Sequence, residues 1–204
     1  MNVKIPGPMD FIRYVWRLRL YLVIIIAVFI AFYILGYVSA ILMPATGSNV
    51  VSNFKQEVMP LKSMSPLGLM LGIFLNNAVK CFLVIVLGLA AGIAPLLFML
   101  ANGLILGIVI GVTIRGTSLA YVLVGTVPHG IIEIPMVLIS SAIGLKLGVD
   151  LLLKLFGKKA GIGKEVSEGL TMYFVYVLPL LLLAAIVETF VTGPLLYLLF
   201  TAHG

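Results

Sequence analysis

Seven polar side chains stand inside otherwise apolar stretches of this sequence: Asn76, Asn77, Lys80, Asn102, His129, Glu133 and Glu188. A carboxylate at the centre of a bilayer costs about 2.5–3.5 kcal/mol on insertion scales, so such groups are expected to face a partner or a cavity. His129 and Glu133 are four residues apart, and one helical face presents both. With Glu188 they offer one imidazole and two carboxylates, a donor set that suits a divalent metal such as zinc. The alternative is that these side chains pair with one another and with the asparagines, simply to satisfy buried polarity. A His-x-x-x-Glu spacing is too short to decide between the two.

Asn76-Asn77 and Asn102-Gly103 read either as hydrogen-bonding glue between helices or as the lining of a polar path. Lys80 lies four residues after Asn76 on the same face, from which it is expected to neutralise Glu133 or Glu188. No catalytic residue is assigned. The sequence has no Gly-Lys-Ser/Thr phosphate loop, no Gly-x-Ser-x-Gly elbow and no His-Glu-x-x-His motif. A Ser/His/Asp triad has no candidate aspartate, because Asp10 and Asp150 map to the ends of spans. His203 reads as a terminal residue and not as a ligand.

The elements that must position these residues follow from composition. Of 204 residues 62% are hydrophobic and 10% charged, with a mean hydropathy of +1.26, whereas a soluble domain carries about 25% charged residues. Leu20 to Met43 is 24 residues without a charge, about 36 Å as a helix, which exceeds a hydrocarbon core of about 30 Å. Cys81 to Ile114 adds another 34, broken by Gly92 and Pro95. The bilayer is therefore the expected solvent and partner. The lone cysteine, Cys81, excludes an intrachain disulfide and reads as a small buried residue. No basic block interleaved with aromatics suggests nucleic acid. The apolar run after Arg19 is far longer than a signal-peptide core of about 7–15 residues, so it reads as an uncleaved signal-anchor helix.

The expected fold is an all-α, polytopic single transmembrane domain over 1–204, with about five spans and one or two re-entrant half-helices. The spans are placed at about 17–43, 66–92, 96–114, 129–155 and 170–190. A re-entrant segment is placed at about 118–127, ending at Pro128-His129-Gly130, and Thr192-Gly193-Pro194 is expected to break off a short tail at 195–202. Residues 45–65 are expected to be a loop or a short interfacial helix. The basic residues Lys4, Arg13, Arg17 and Arg19 then share a side with Lys154, Lys158, Lys159 and Lys164. The positive-inside rule makes that side cytoplasmic, N-terminus included, and puts most of the polar residues in the outer half of the cell membrane. Glycines at four-residue spacing (Gly68/Gly72, Gly88/Gly92, Gly103/Gly107/Gly111, Gly144/Gly148) predict close helix packing, within a bundle or between copies of a homo-oligomer.

The order of these residues resembles the stage II sporulation protein M family of bacterial and archaeal membrane proteins. The residues that carry the resemblance are Asn76-Asn77, Gly88 and Gly92, Asn102-Gly103 with Gly107, and Pro128-His129-Gly130-Ile131-Ile132-Glu133. Gly144 follows, then Glu188 with Phe190. The resemblance covers about residues 70–195. It implies a membrane component that acts with envelope proteins, as one family member acts with peptidoglycan-degrading partners during engulfment of the forespore. The chain itself carries no peptidoglycan hydrolase motif, so the resemblance points to a non-enzymatic scaffold. A transporter or channel using His129, Glu133 and Glu188, and a metal-dependent intramembrane enzyme, are the rival readings.

Overall fold

The computed structural model describes residues 5–62, 64–157 and 161–200. Lys4, Lys158, Lys159 and His203 lie outside the described residues, as do the side chains of Lys55, Glu57 and Lys62. The fold is all-helical: α1 (Pro8–Arg17), α2 (Arg19–Leu42), α3 (Pro44–Lys62), α4 (Pro66–Leu87), α5 (Ile93–Gly116), α6 (Leu119–Leu155) and α7 (Ile162–Phe200). Five of these, α2 and α4 to α7, are long and apolar enough to cross a membrane.

The first span begins with a break. Asp10 accepts a hydrogen bond from the Gly7 backbone N–H at 2.9 Å, and Pro8 opens the first turn, so α1 forms ahead of the apolar run as a separate helix. Phe11 stacks on Tyr176 at 4.4 Å, and the Tyr176 hydroxyl donates to the Pro6 carbonyl at 2.6 Å. These contacts hold α1 against α7. Residues 44–62 are a 19-residue helix, longer than the short interfacial helix expected.

The end contacts define an up-and-down bundle. Arg17 meets Glu168 at 2.8 Å and Lys146 meets Glu165 at 2.7 Å. The start of α2, the end of α6 and the start of α7 therefore share one end. At the other end Arg115 donates to the carbonyls of Ala40 and Ile41, at 3.1 and 2.8 Å, which ties the end of α5 to the last turn of α2. α6 is the most buried span. The core gathers around it, with Ile25, Cys81, Met99, Ile143, Val177 and Leu181 almost wholly buried.

Two expected breaks are absent. The segment 118–127 is not a separate half-helix but the opening of α6, which runs unbroken through Pro128 and Pro135. In lipid each unpaired backbone group costs several kcal/mol, so a helix that loses one bond at a proline continues. Likewise Thr192-Gly193-Pro194 does not end α7. Instead the helix widens into a π turn over Glu188–Thr192, where the Gly193 N–H bonds the Glu188 carbonyl five residues back. A matching π turn spans Tyr173–Val177 just ahead of Pro179. In α geometry each proline ring would clash with the carbonyl four residues before it; the wider turn moves that carbonyl aside. At 37 and 39 residues, α6 and α7 are about 55–58 Å long, so each reaches beyond a hydrocarbon core of about 30 Å.

The glycine stripe at Gly103, Gly107 and Gly111 is spent inside the protomer. A methyl group at Gly103 would press on the Phe29 carbonyl, and one at Gly107 on the Tyr33 carbonyl, both on α2. α2 and α5 accordingly form the most extensive helix pair. Gly144 and Gly148 do the same for α6 against Val84, Gly88 and Gly92. The turn between α4 and α5 needs left-handed backbone at Ala91 (φ 56) and Gly92 (φ 73), the conformation glycine adopts without steric cost.

Candidate functional site

α6 and the π turn of α7 build the site together. His129 and Glu133 lie one turn apart on α6, and Glu188 opens the wide turn of α7. Their ligand-capable atoms (one imidazole nitrogen and two carboxylate oxygens) all lie within 4.8 Å of one another, and all three residues are half-buried. Two carboxylates this close repel by about 3.5 kcal/mol or more at an effective dielectric near 20 when both are charged. A proton or a cation shared between them removes that repulsion.

Neighbouring polar groups hold the cluster. His129 Nδ1 lies 3.4 Å from the Thr192 hydroxyl, and Thr192 is almost fully buried at 3% exposure. The imidazole is thereby tied to the same wide turn that carries Glu188. Nε2 has no hydrogen-bond partner among the described residues. Asn77 on α4 lies near Glu133, and it accepts a hydrogen bond from Asn76 at 3.2 Å. Thr189, next to Glu188, keeps a buried hydroxyl without a partner among the described residues.

A cavity of about 150 Å³ opens on the α6 side of the cluster, lined by His129, Glu133, Asn102, Thr126 and Met99 among others. It is room for about five waters at about 30 Å³ each. The Asn102 amide lines it while donating to the Phe98 carbonyl at 2.7 Å.

The seven polar residues singled out by type are therefore divided. His129, Glu133 and Glu188 meet, Asn77 abuts them, and Asn102 shares their cavity. Asn76 and Lys80 are exposed at the side of α4. Lys80 makes no ion pair with either glutamate among the described residues, so the expected direct neutralisation does not occur. From α4 it acts on Glu133 only through space. Cys81 is fully buried and free.

A second polar cluster, absent from the reading by residue type, sits at the opposite end of α6. Lys146 bridges Asp150 at 2.6 Å and Glu165 at 2.7 Å. Arg17 reaches Glu168 at 2.8 Å and Glu165 at 3.8 Å. Its hydrogen bond with Glu168 holds the guanidinium firmly charged. Burial, and then the charge of Glu168, pushes the Tyr14 phenol well above its ordinary range. The signal was a lysine and an aspartate four apart in an apolar helix, a spacing that places them on one face.

Compared with known proteins, residues 25–193 match the family model of the stage II sporulation protein M, a stretch that includes every residue of the cluster at His129. The chain belongs to that family. Family membership and the apolar helices make it an integral membrane protein, with five helices long and apolar enough to cross the bilayer. An uncharacterised protein of Methanocaldococcus jannaschii is 27% identical over 123 residues, which cover 59% of this chain and 68% of that protein. No solved structure matches the chain. The family match excludes α1 and the last residues of α7, so the α1 side of the contacts between α1 and α7 lies outside it while Tyr176 lies inside.

Proposed function

We propose that this family member is a non-enzymatic component of the plasma membrane whose working part is the polar site at His129, Glu133 and Glu188. The N-terminus is cytoplasmic, the site opens toward the outer half of the bilayer, and the protein serves envelope proteins as a membrane scaffold, as a homo-oligomer. The observation that carries the reading is the convergence of one imidazole and two carboxylates from two different helices, in spans apolar enough to cross a membrane. Polarity placed in lipid at such cost is retained where it works. The basic segments at Arg13–Arg19 and Lys154–Lys164 support the orientation, because both belong to one end of the bundle.

The test is complementation in cells depleted of the protein. Glu133→Gln and Glu188→Gln keep shape and hydrogen bonding while removing charge. Loss of complementation by either variant, at wild-type abundance in the membrane, is the expected result. Full complementation by the double variant would show that the site is only structural glue.

A second reading is favoured by the cavity of about 150 Å³ beside the site. A solute or ion carrier needs a polar cavity of this kind at membrane depth. Reconstituted protein separates the two: a flux through proteoliposomes that Glu133→Gln abolishes supports the carrier, and the scaffold requires none.

A further inference from the structure

We infer that His129, Glu133 and Glu188 form a binding site for one divalent transition cation of the zinc class, with Thr192 positioning the histidine. The inference deepens the proposed function by naming what the polar site holds, and it rests on that reading for its biological use.

The donor geometry is the first argument. The three ligand atoms lie within 4.8 Å of one another, while bonds to zinc of about 2.0–2.1 Å place ligand atoms about 3.3 Å apart. A cation at the centre of a 4.8 Å triangle would draw each ligand inward by about 0.7 Å, which side-chain torsions alone can supply. Charge is the second argument. A dication between two carboxylates and a neutral imidazole gives a set with no net charge, the form that costs least away from water. Lys80 is exposed on α4, and neither carboxylate has an ion-pair partner among the described residues.

The third argument comes from the residue behind the histidine. A metal-binding imidazole donates its other ring N–H to a fixed acceptor, which sets the tautomer and the ring's orientation. Thr192 lies 3.4 Å from Nδ1 and is buried; in the Nδ1–H tautomer its hydroxyl would be that acceptor and Nε2 the ligand. Glu188 and Thr192 stand four residues apart in the turn of α7 that faces the histidine, so one face presents both. Three protein ligands leave a fourth position open, as in zinc sites that bind a substrate or water, and the cavity at His129 and Glu133 gives that position room. An imidazole in the set favours zinc, copper, iron or nickel over magnesium and calcium, which prefer oxygen ligands throughout.

The experiment uses the full-length protein, purified in detergent and stripped with a chelator, then titrated with zinc chloride alone against a competing fluorescent chelator. The expected result is one zinc per chain, lost in His129→Ala and in Glu133→Gln with Glu188→Gln. Thr192→Val should weaken affinity about 10- to 100-fold, and Thr192→Ser, which keeps the hydroxyl, should restore it. Affinity should fall between pH 7 and pH 5.5, because protons compete for imidazole and carboxylate. Each variant is checked for wild-type helicity and elution volume. Absence of stoichiometric zinc in folded wild-type protein overturns the inference, as does equal binding by a variant that combines His129→Ala, Glu133→Gln and Glu188→Gln. Displacement of the zinc by millimolar magnesium or calcium overturns the assigned class. If the glutamine variants fail to complement yet no zinc binds, the proposed function stands and this inference falls. If zinc binds and every variant complements, the site is real and the proposed function falls.

Discussion

The contact between α2 and α5 should be set by single missing methyl groups, and Gly107→Ala measures one. A Cβ built on Gly107 would lie 2.8 Å from the Tyr37 backbone nitrogen and 3.0 Å from the Tyr33 carbonyl carbon, with the Tyr33 oxygen closer still. Ordinary carbon contacts sit at about 3.5–4.0 Å. The obstructing atoms are backbone, so no rotamer can move them and α5 must withdraw from α2 by something near 1 Å. Overpacking of this kind costs about 1–3 kcal/mol, and rigid partners argue for about 2–3. Alanine returns up to about 1 kcal/mol of helix propensity, leaving a net loss of about 1–2 kcal/mol.

Gly125→Ala is the matched control. The nearest atom to its added Cβ is Leu196 Cδ1 at 3.5 Å, an ordinary contact with a flexible side chain. It should gain about 0.5–1 kcal/mol from propensity alone. The two variants should therefore differ by about 2–3 kcal/mol in reversible unfolding of the reconstituted protein with sodium dodecyl sulfate. Because the stripe is packed inside the protomer, the gap should not change with the protein-to-lipid ratio. If Gly107→Ala proves as stable as Gly125→Ala, the close approach of the two backbones is refuted. A penalty that grows with dilution would move the stripe to an interface between copies.

Three further outcomes are expected. Lys146→Met should destabilise by about 2–3 kcal/mol in the same assay, between the values for exposed and buried pairs, because Lys146 and Asp150 are 15% and 16% exposed. The triple change with Asp150→Asn and Glu165→Gln should recover most of that loss, and no recovery would mean that the ion pairs are not the cause. In a Cys81→Ala background, Asn53→Cys should react with an impermeant maleimide on intact cells and Lys164→Cys should not, both positions being exposed; the opposite pattern inverts the topology. Glu133→Gln should keep more stability than Glu133→Ala, because the amide can still hydrogen-bond to its neighbours, and equal losses would show that Glu133 is held by charge alone.

The spans were legible because lipid imposes a length and a composition that soluble folds do not. Runs such as Leu20–Met43 leave no other reading, and the expected spans 17–43, 66–92 and 96–114 end within about five residues of the helices observed, whereas 129–155 and 170–190 fall short of longer helices. The stripe of Gly103, Gly107 and Gly111 was equally plain as a packing surface, yet its partner was not. Small residues advertise that something comes close, whereas Phe29 and Tyr33 contribute carbonyl groups that every residue possesses. The cluster of Arg17, Lys146, Glu165 and Glu168 was hidden for a related reason. Each charge stands near the end of an apolar run, where solvation is the default reading, and the Arg17–Glu168 pair joins residues more than a hundred positions apart in the chain.

The two proline motifs were misread because a proline in water and a proline in lipid answer to different alternatives. In water, the freed carbonyls before Pro128 and Pro194 can bond solvent, so ending the helix costs little. In hydrocarbon the unwound segment would leave several backbone groups unpaired, so keeping the helix and distorting one turn is the lesser cost. At Pro128 the helix simply continues, which places His129 and Glu133 one turn apart in a single rigid rod. At Pro194 the distortion takes the form of a π turn, and such turns gather at functional sites in other proteins. Here the turn binds the Gly193 N–H to the Glu188 carbonyl, so the backbone of Glu188 is fixed by the same proline-driven widening that presents Thr192 to His129. The residue types of the site could be found in the sequence by their expense in lipid. Their mutual orientation could not, because it depends on how α6 packs against the Glu188–Thr192 turn of α7.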